Sequence, residues 1–178
     1  MAKKINFKFV IEEDGKEQCS TILSFQAVDQ VVAELIEDGD NNTLYKLLAQ
    51  HPSARVRQGL TSKKDLSKEV FDILSVDTDR SVLYGLLVSD CMQKYATQEL
   101  LVKYIKIDVE FAEKIAGSIM EFEQADKEEL TKILIAHQDP TVAFSLAENY
   151  GLQKKVHKLL LKHPDPRVAK EAKERFSD

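Results

Sequence analysis

The chain of 178 residues contains no tryptophan, six glycines, four prolines and two cysteines. Cys19 and Cys91 lie far apart and neither belongs to a Cys-x-x-Cys pair, so the spacing encodes neither a disulfide framework nor a thiolate zinc site, and both are expected as free thiols. No glycine-rich phosphate loop, nucleophile elbow or His-Glu-x-x-His motif is present, which removes the usual starting points for nucleotide, acyl-transfer and zinc-hydrolase chemistry. No apolar run approaches the roughly 20 residues needed to cross a bilayer. Residues 1–9 alternate polar and apolar side chains where a signal peptide would have an apolar core. A cytoplasmic location without a membrane partner is therefore expected. A net charge of −5 opposes phosphate binding by the molecule as a whole. With 43% hydrophobic and 31% charged residues, what is present is the material of a folded domain.

The first residues alternate with the period of a strand. Ile5, Phe7, Phe9 and Ile11 are separated by polar residues, Glu13-Asp14-Gly15 supplies a turn, and Cys19, Thr21, Leu23 and Phe25 alternate again. A two-residue turn at Asp14-Gly15 would set Phe9 against Ser20 and mix the faces. A three-residue loop ending in a left-handed Gly15 sets Phe9 against Cys19 and Phe7 against Thr21, which makes one apolar face and is the expected register. A lone hairpin is marginal in water, so residues 1–26 are expected to pack on the helices that follow or on another molecule.

From Ala27 the period becomes helical, with Val28, Val31, Val32, Leu35 and Ile36 before a turn at Asp38-Gly39-Asp40-Asn41-Asn42. The chain then repeats itself. Five stretches align on one apolar anchor: Ser53-Ala54-Arg55-Val56, Asp79-Arg80-Ser81-Val82, Asp108-Val109-Glu110-Phe111, Asp139-Pro140-Thr141-Val142 and Asp165-Pro166-Arg167-Val168, with anchors 26, 29, 31 and 26 residues apart. Asp and Ser accept hydrogen bonds from first-turn amides, and Pro140 and Pro166 sit where a helix tolerates proline best, so each stretch is expected to start a helix. Gly59-Leu60, Gly85-Leu86, Lys114-Ile115, Ser145-Leu146 and Glu171-Ala172 continue the same face one turn later. Upstream of each anchor lies a second amphipathic helix, carried by Leu44-Leu47-Leu48, Val70-Phe71-Leu74, Leu100-Leu101-Tyr104-Ile105, Leu130-Ile133-Leu134 and Val156-Leu159-Leu160. A helix pair cannot bury its stripe alone but stacked pairs can. The reading is a mainly α protein: an N-terminal β-hairpin (1–26) and an α-helical repeat domain (27–178) of about five helix pairs.

The phrases His51-Pro52-Ser53-Ala54-Arg55-Val56-Arg57 and His163-Pro164-Asp165-Pro166-Arg167-Val168-Ala169, with Leu146-Ala147-Glu148-Asn149 before a second leucine-rich helix, resemble the leucine-rich-repeat-variant family and its HEAT-like relatives. The likeness covers roughly residues 43–176 and is degenerate around Asp79 and Asp108. It implies a right-handed α-α superhelix of short helix pairs, some of them 3₁₀. One variant of that family holds an iron–sulfur centre on an N-terminal cysteine cluster. This chain has only Cys19 there, so that cofactor is not carried over and none is expected.

His51, His137 and His163 recur at the end of the upstream helix, where an imidazole can bond free carbonyls and complement the helix dipole, so they are read as structural and not as metal ligands. His157, between Val156 and Leu159, is read as a core histidine. Asp79, Asp108, Asp139 and Asp165 are absorbed by capping, and Asp126 with Glu129 reads as a capping box. Residues 153–175 carry eight basic side chains against three acidic ones, while Glu121, Glu123, Asp126, Glu128 and Glu129 precede them as an acidic edge. The outward column of the second helices supplies the candidate partner-binding residues Arg57, Tyr84, Phe144 and Lys170, since Arg and aromatic side chains anchor interfaces. The expected function is a non-catalytic protein–protein interaction scaffold, not an enzyme, binding an unidentified protein. The alternatives are nucleic-acid binding through Arg55, Arg57, Arg80 and the C-terminal lysines, and an accessory role for a metal cluster. The outer strand of the hairpin could pair with a partner's strand or with a second copy of the chain.

Overall fold

The computed structural model describes residues 5–35, 41–149 and 151–175. Among these it is mainly helical, with twelve α-helices after one antiparallel hairpin. Two compact units divide the chain, residues 1–91 and 92–178. Among the described residues no helix is long and apolar enough to cross a membrane.

The hairpin pairs β1 (Lys8–Glu13) with β2 (Lys16–Ile22). Its loop is the two-residue turn, not the three-residue one: Asp14 and Gly15 both take positive φ, 51° and 73°, the conformation that matches the twist of the strands and that Asp and Gly tolerate. Parity is restored elsewhere. Glu12 faces Glu17 while Ile11 faces Cys19, so Gln18 is an extra, bulged residue. Phe9 therefore lies opposite Thr21, and the Leu23 N–H donates to the Phe7 carbonyl at 2.8 Å. The expected register was off by two residues, yet one face still collects Phe7, Phe9, Ile11, Cys19 and Leu23. Every residue of both strands is exposed, Phe9 at 55% and Ile11 at 48%. The hairpin meets the helices at its base, where Phe7 and Phe25 lie against the His51 ring at centroid distances of 5.8 and 4.9 Å.

The N-terminal unit continues with α1 (Phe25–Glu34), α2 (Asn42–Leu48), α3 (Ala54–Leu60), α4 (Lys68–Leu74) and α5 (Arg80–Leu87). Ser24 caps α1 through the Ala27 N–H, so the helix begins two residues before the expected position. Ile36 and residues 38–40 of the expected turn lie outside the described residues. Helix α3 packs between α1 and α5, and α4 packs on α2. Thus α1 occupies the place of a second helix without a first, covering the front of α3.

Helix α6 (Asp90–Tyr95) runs across the boundary between the units. The C-terminal unit holds α7 (Gln98–Ile105), α8 (Val109–Gly117), α9 (Lys127–Ile135), α10 (Pro140–Ala147), α11 (Lys154–Leu160) and α12 (Pro166–Arg175). Here α10 packs between α8 and α12, and each of α7, α9 and α11 pairs with the helix after it. The five expected pairs are α2/α3, α4/α5, α7/α8, α9/α10 and α11/α12.

All five anchors, Val56, Val82, Phe111, Val142 and Val168, are buried, as are Leu60, Leu86, Ile115, Leu146 and Ala172 one turn later. Asp79, Asp108, Asp139 and Asp165 cap their helices through first-turn amides, and Asp126 caps α9 through Glu128 and Glu129. Ser53 departs from the pattern, because its hydroxyl makes no bond to α3. That turn is held by Arg57, whose Nη1 donates to the carbonyls of His51 at 2.7 Å and Pro52 at 3.3 Å. The upstream stripe also needs correction: Leu47 and Leu159 are exposed, and in α2 Tyr45 is buried with Leu48 in their place.

Candidate interaction surfaces

The turn inside four of the five pairs is built around one acceptor, the α7/α8 pair having Lys106 at that place. His51 Nδ1 accepts the Ser53 N–H, His137 Nδ1 the Asp139 N–H and His163 Nδ1 the Asp165 N–H, each at 3.1 Å. Asp77 Oδ1 takes the same part toward the Asp79 N–H at 2.8 Å. The expectation that these imidazoles bond carbonyls of the preceding helix is thereby corrected: they accept from the amide two residues ahead and fix the entry into the next helix. An accepting Nδ1 is the lone pair of a neutral ring whose proton sits on Nε2.

Burial pulls the His51 imidazole below its ordinary range, and the charge of Arg57 acts in the same direction. His157, buried in α11, is pulled down by burial alone. The unfolded chain then takes up protons first, at about pH 6.5, and stability falls as pH drops from there toward the depressed folded values. The thermal midpoint is expected to be lower at pH 5 than at pH 7.5, and His51→Asn, which keeps an acceptor without a titrating ring, should flatten part of that slope. A midpoint that is level or rises on acidification would contradict the buried neutral imidazoles. The capping carboxylates act in a separate window. Hydrogen bonds from Arg167 hold Asp165 down at about 2, and Asp79 and Asp139 are lowered by bonds from Ser81 and Thr141, so their contribution is lost only below about pH 4.

The four candidate contact residues have different surroundings. Arg57 is spent internally: its side chain is 14% exposed and forms a two-pronged ion pair with Asp77, 6% exposed, with Nε to Oδ2 at 2.6 Å and Nη2 to Oδ1 at 2.9 Å. Tyr84 is half-buried with the Arg80 guanidinium 5.9 Å from its ring. Phe144 is half-buried, and Lys170 is exposed and pairs with Glu174 at 3.7 Å. Arg57 and Tyr84 belong to the N-terminal unit, Phe144 and Lys170 to the C-terminal one. Two cations considered for phosphate binding are already opposed by carboxylates, Arg55 by Asp29 and Lys155 by Glu128, and in the same basic C-terminal segment Arg167 is opposed by Asp165 and Arg175 by Glu171.

A different surface emerges from the first helices. The residue nine before each anchor is Leu47, Ile73, Val102, Ile133 or Leu159, aliphatic in every copy and half-buried or exposed in every copy. In the C-terminal unit this position borders a groove of about 740 Å³ between the α9–α10 and α11–α12 turns, lined by Ile135, His137, Pro140, Leu159, Lys162 and His163 among others. Leu159 is 50% exposed there, and Lys158 and Lys162 are exposed beside it. The signal was present in the sequence as a recurrent aliphatic position, but helical periodicity assigned Leu47, Ile133 and Leu159 to the packing stripe and passed over Ile73 and Val102.

No family model, curated protein or solved structure matches the chain. Function must be argued from this geometry. Cys91, the buried thiol, donates to the Lys64 carbonyl at 3.4 Å, while Cys19 is exposed on the hairpin. Among the described residues no group of three or more His, Cys, Asp or Glu side chains is arranged to hold a metal ion.

Proposed function

We propose that the chain is a cytoplasmic, non-catalytic protein-interaction scaffold, its HEAT-like helix pairs stacked as a right-handed superhelix. The observation that carries this reading is the aliphatic residue left half-buried or exposed on the first helix of every repeat, which at Leu159 borders a groove with lysines beside it. Leu47 and Leu159 are the two exposed copies, and at Leu159 the aliphatic side chain lies beside a groove, the setting of a docking site. The residues that would otherwise suggest acid–base chemistry, His51, His137, His163 and the four capping aspartates, support the same reading because each is engaged in holding a turn or a helix start.

The test uses the full chain, tagged, in affinity purification from extract of its own host, run both with and without nuclease treatment. Leu159→Asp and Lys162→Glu change exposed side chains, so unaltered circular dichroism is expected. At least one protein should be recovered by the wild type and about tenfold less by Leu159→Asp, the loss typical of an interface anchor. Equal recovery by both would remove the groove, and recovery of nothing but nucleic acid, released steeply by salt, would favour phosphate binding through the lysines.

A further inference from the structure

We propose that β1 is the contact edge of a homodimer, pairing antiparallel with β1 of a second copy about a two-fold axis at Val10. The ladder inside the hairpin decides which groups are available. Phe7 and Leu23 form a hydrogen-bonded pair, and pairs alternate along an antiparallel ladder, so Phe9 and Ile11 also bond inward to Thr21 and Cys19. The N–H and C=O groups of Lys8, Val10 and Glu12 therefore point away from β2. Pairing about Val10 brings these same residues together as the bonded pairs of the new ladder, Val10 with Val10 and Lys8 with Glu12 of the second copy.

Charge and face agree with that register. It produces two Lys8–Glu12 pairs on one face, and on the other sets Phe9 against Ile11 twice, both now half-exposed on the free hairpin. Shifting the register by one residue mixes the faces, and shifting it by two, which puts the axis at Phe9 or at Ile11, removes both ion pairs. The other edge is a poor alternative, because the Gln18 bulge lies in β2 and breaks its regular outward row, as bulges do on edges that must not pair. β1 has no such interruption between Lys8 and Glu13. The four-stranded sheet that results, β2-β1-β1-β2, joins the exposed apolar faces of two hairpins, each too small to be stable by itself.

Sedimentation of the full chain between about 1 and 300 μM, the range suited to an interface below about 1,200 Å², should show a monomer–dimer equilibrium. Lys8→Glu places four carboxylates across the two-fold and Glu12→Lys places four ammonium groups there, so each variant alone should dimerise at least about tenfold more weakly. The doubly exchanged chain, Lys8→Glu with Glu12→Lys, should dimerise as the wild type does. An equimolar mixture of the two single variants should form a heterodimer that neither forms with itself. These side chains are exposed, so folding is not at issue. A wild type that stays monomeric over the whole range overturns the proposal, and so does a dimer indifferent to both charge reversals.

Discussion

Arg57→Ala is expected to cost about 3 kcal/mol of folding stability, the lower end of what breaking a buried ion pair costs. The pair is nearly enclosed, with 14% of the arginine side chain and 6% of the Asp77 side chain exposed. Its two parallel N–H···O bonds are the strong, oriented kind. The bond to Asp77 also raises the arginine's already high pKa, so the guanidinium stays charged throughout the accessible range. Truncation removes three further things at once: the bond that fixes the His51 carbonyl, the contact with the Pro52 carbonyl, and the positive charge facing a carboxylate that must still accept the Asp79 amide. Lysine should not rescue, because a point charge cannot serve both carboxylate oxygens and a carbonyl together. Adding Asp77→Asn to Arg57→Ala should recover part of the loss by removing the stranded charge. Urea unfolding measures all four chains. A loss below about 1 kcal/mol for Arg57→Ala would mean that the pair behaves as an exposed one, and Arg57 would again be a candidate for outside contacts.

Two glycines at the same repeat position should respond to alanine with opposite signs. A methyl group at Gly85 would sit 2.4 Å from Thr61 Oγ1 and 3.4 Å from its Cβ. Thr61 ends α3, is buried, and donates its hydroxyl to the Gln58 carbonyl at 2.7 Å, so a β-branched side chain already fixed by that bond would have to move. Gly85→Ala is expected to lose about 1–3 kcal/mol, the cost of overpacking. At Gly59 the nearest atoms to the added methyl are Val32 Cγ1 at 3.5 Å and Asp29 Oδ1 at 3.6 Å, ordinary contact distances. Gly59→Ala should gain about 0.5–1 kcal/mol from helix propensity and a less flexible unfolded chain. Thr61→Ala should relieve Gly85→Ala specifically. If both alanines destabilise equally, the close approach of α5 to the end of α3 is not the reason for glycine at 85.

The helix pairs were legible because burial repeats with the sequence: each anchor and its partner one turn later are apolar, and aspartates stand where first-turn amides need acceptors. The hairpin's face was legible for the same reason, since alternation fixes parity. Its register was not, because a two-residue turn plus a bulge yields the same parity as a longer loop, and nothing in Glu17-Gln18-Cys19 marks which residue bulges. The internal ion pair of Arg57 was not legible. A charged residue next to a buried anchor looks outward on a helical wheel, but its partner Asp77 stands 20 residues away, beyond the reach of any local pattern. Leu47 and Leu159 failed in the opposite sense: periodicity counts apolar residues on a face without saying where that face ends, and each lies on the edge that the neighbouring helix leaves uncovered.

Asp77 shows what the repeat actually specifies. At the position five before the anchor, three of the five copies use the lone pair of an imidazole, one uses that of a carboxylate and the α7/α8 copy has Lys106, and in the first four the amide two residues ahead is satisfied by either acceptor. The copy around Asp79 has therefore lost the His-Pro phrase without losing its bend. A turn defined by an electron pair and not by a letter can drift in spelling while its backbone holds still, so copies of such a unit are better recognised by the acceptor they place than by the residue they share.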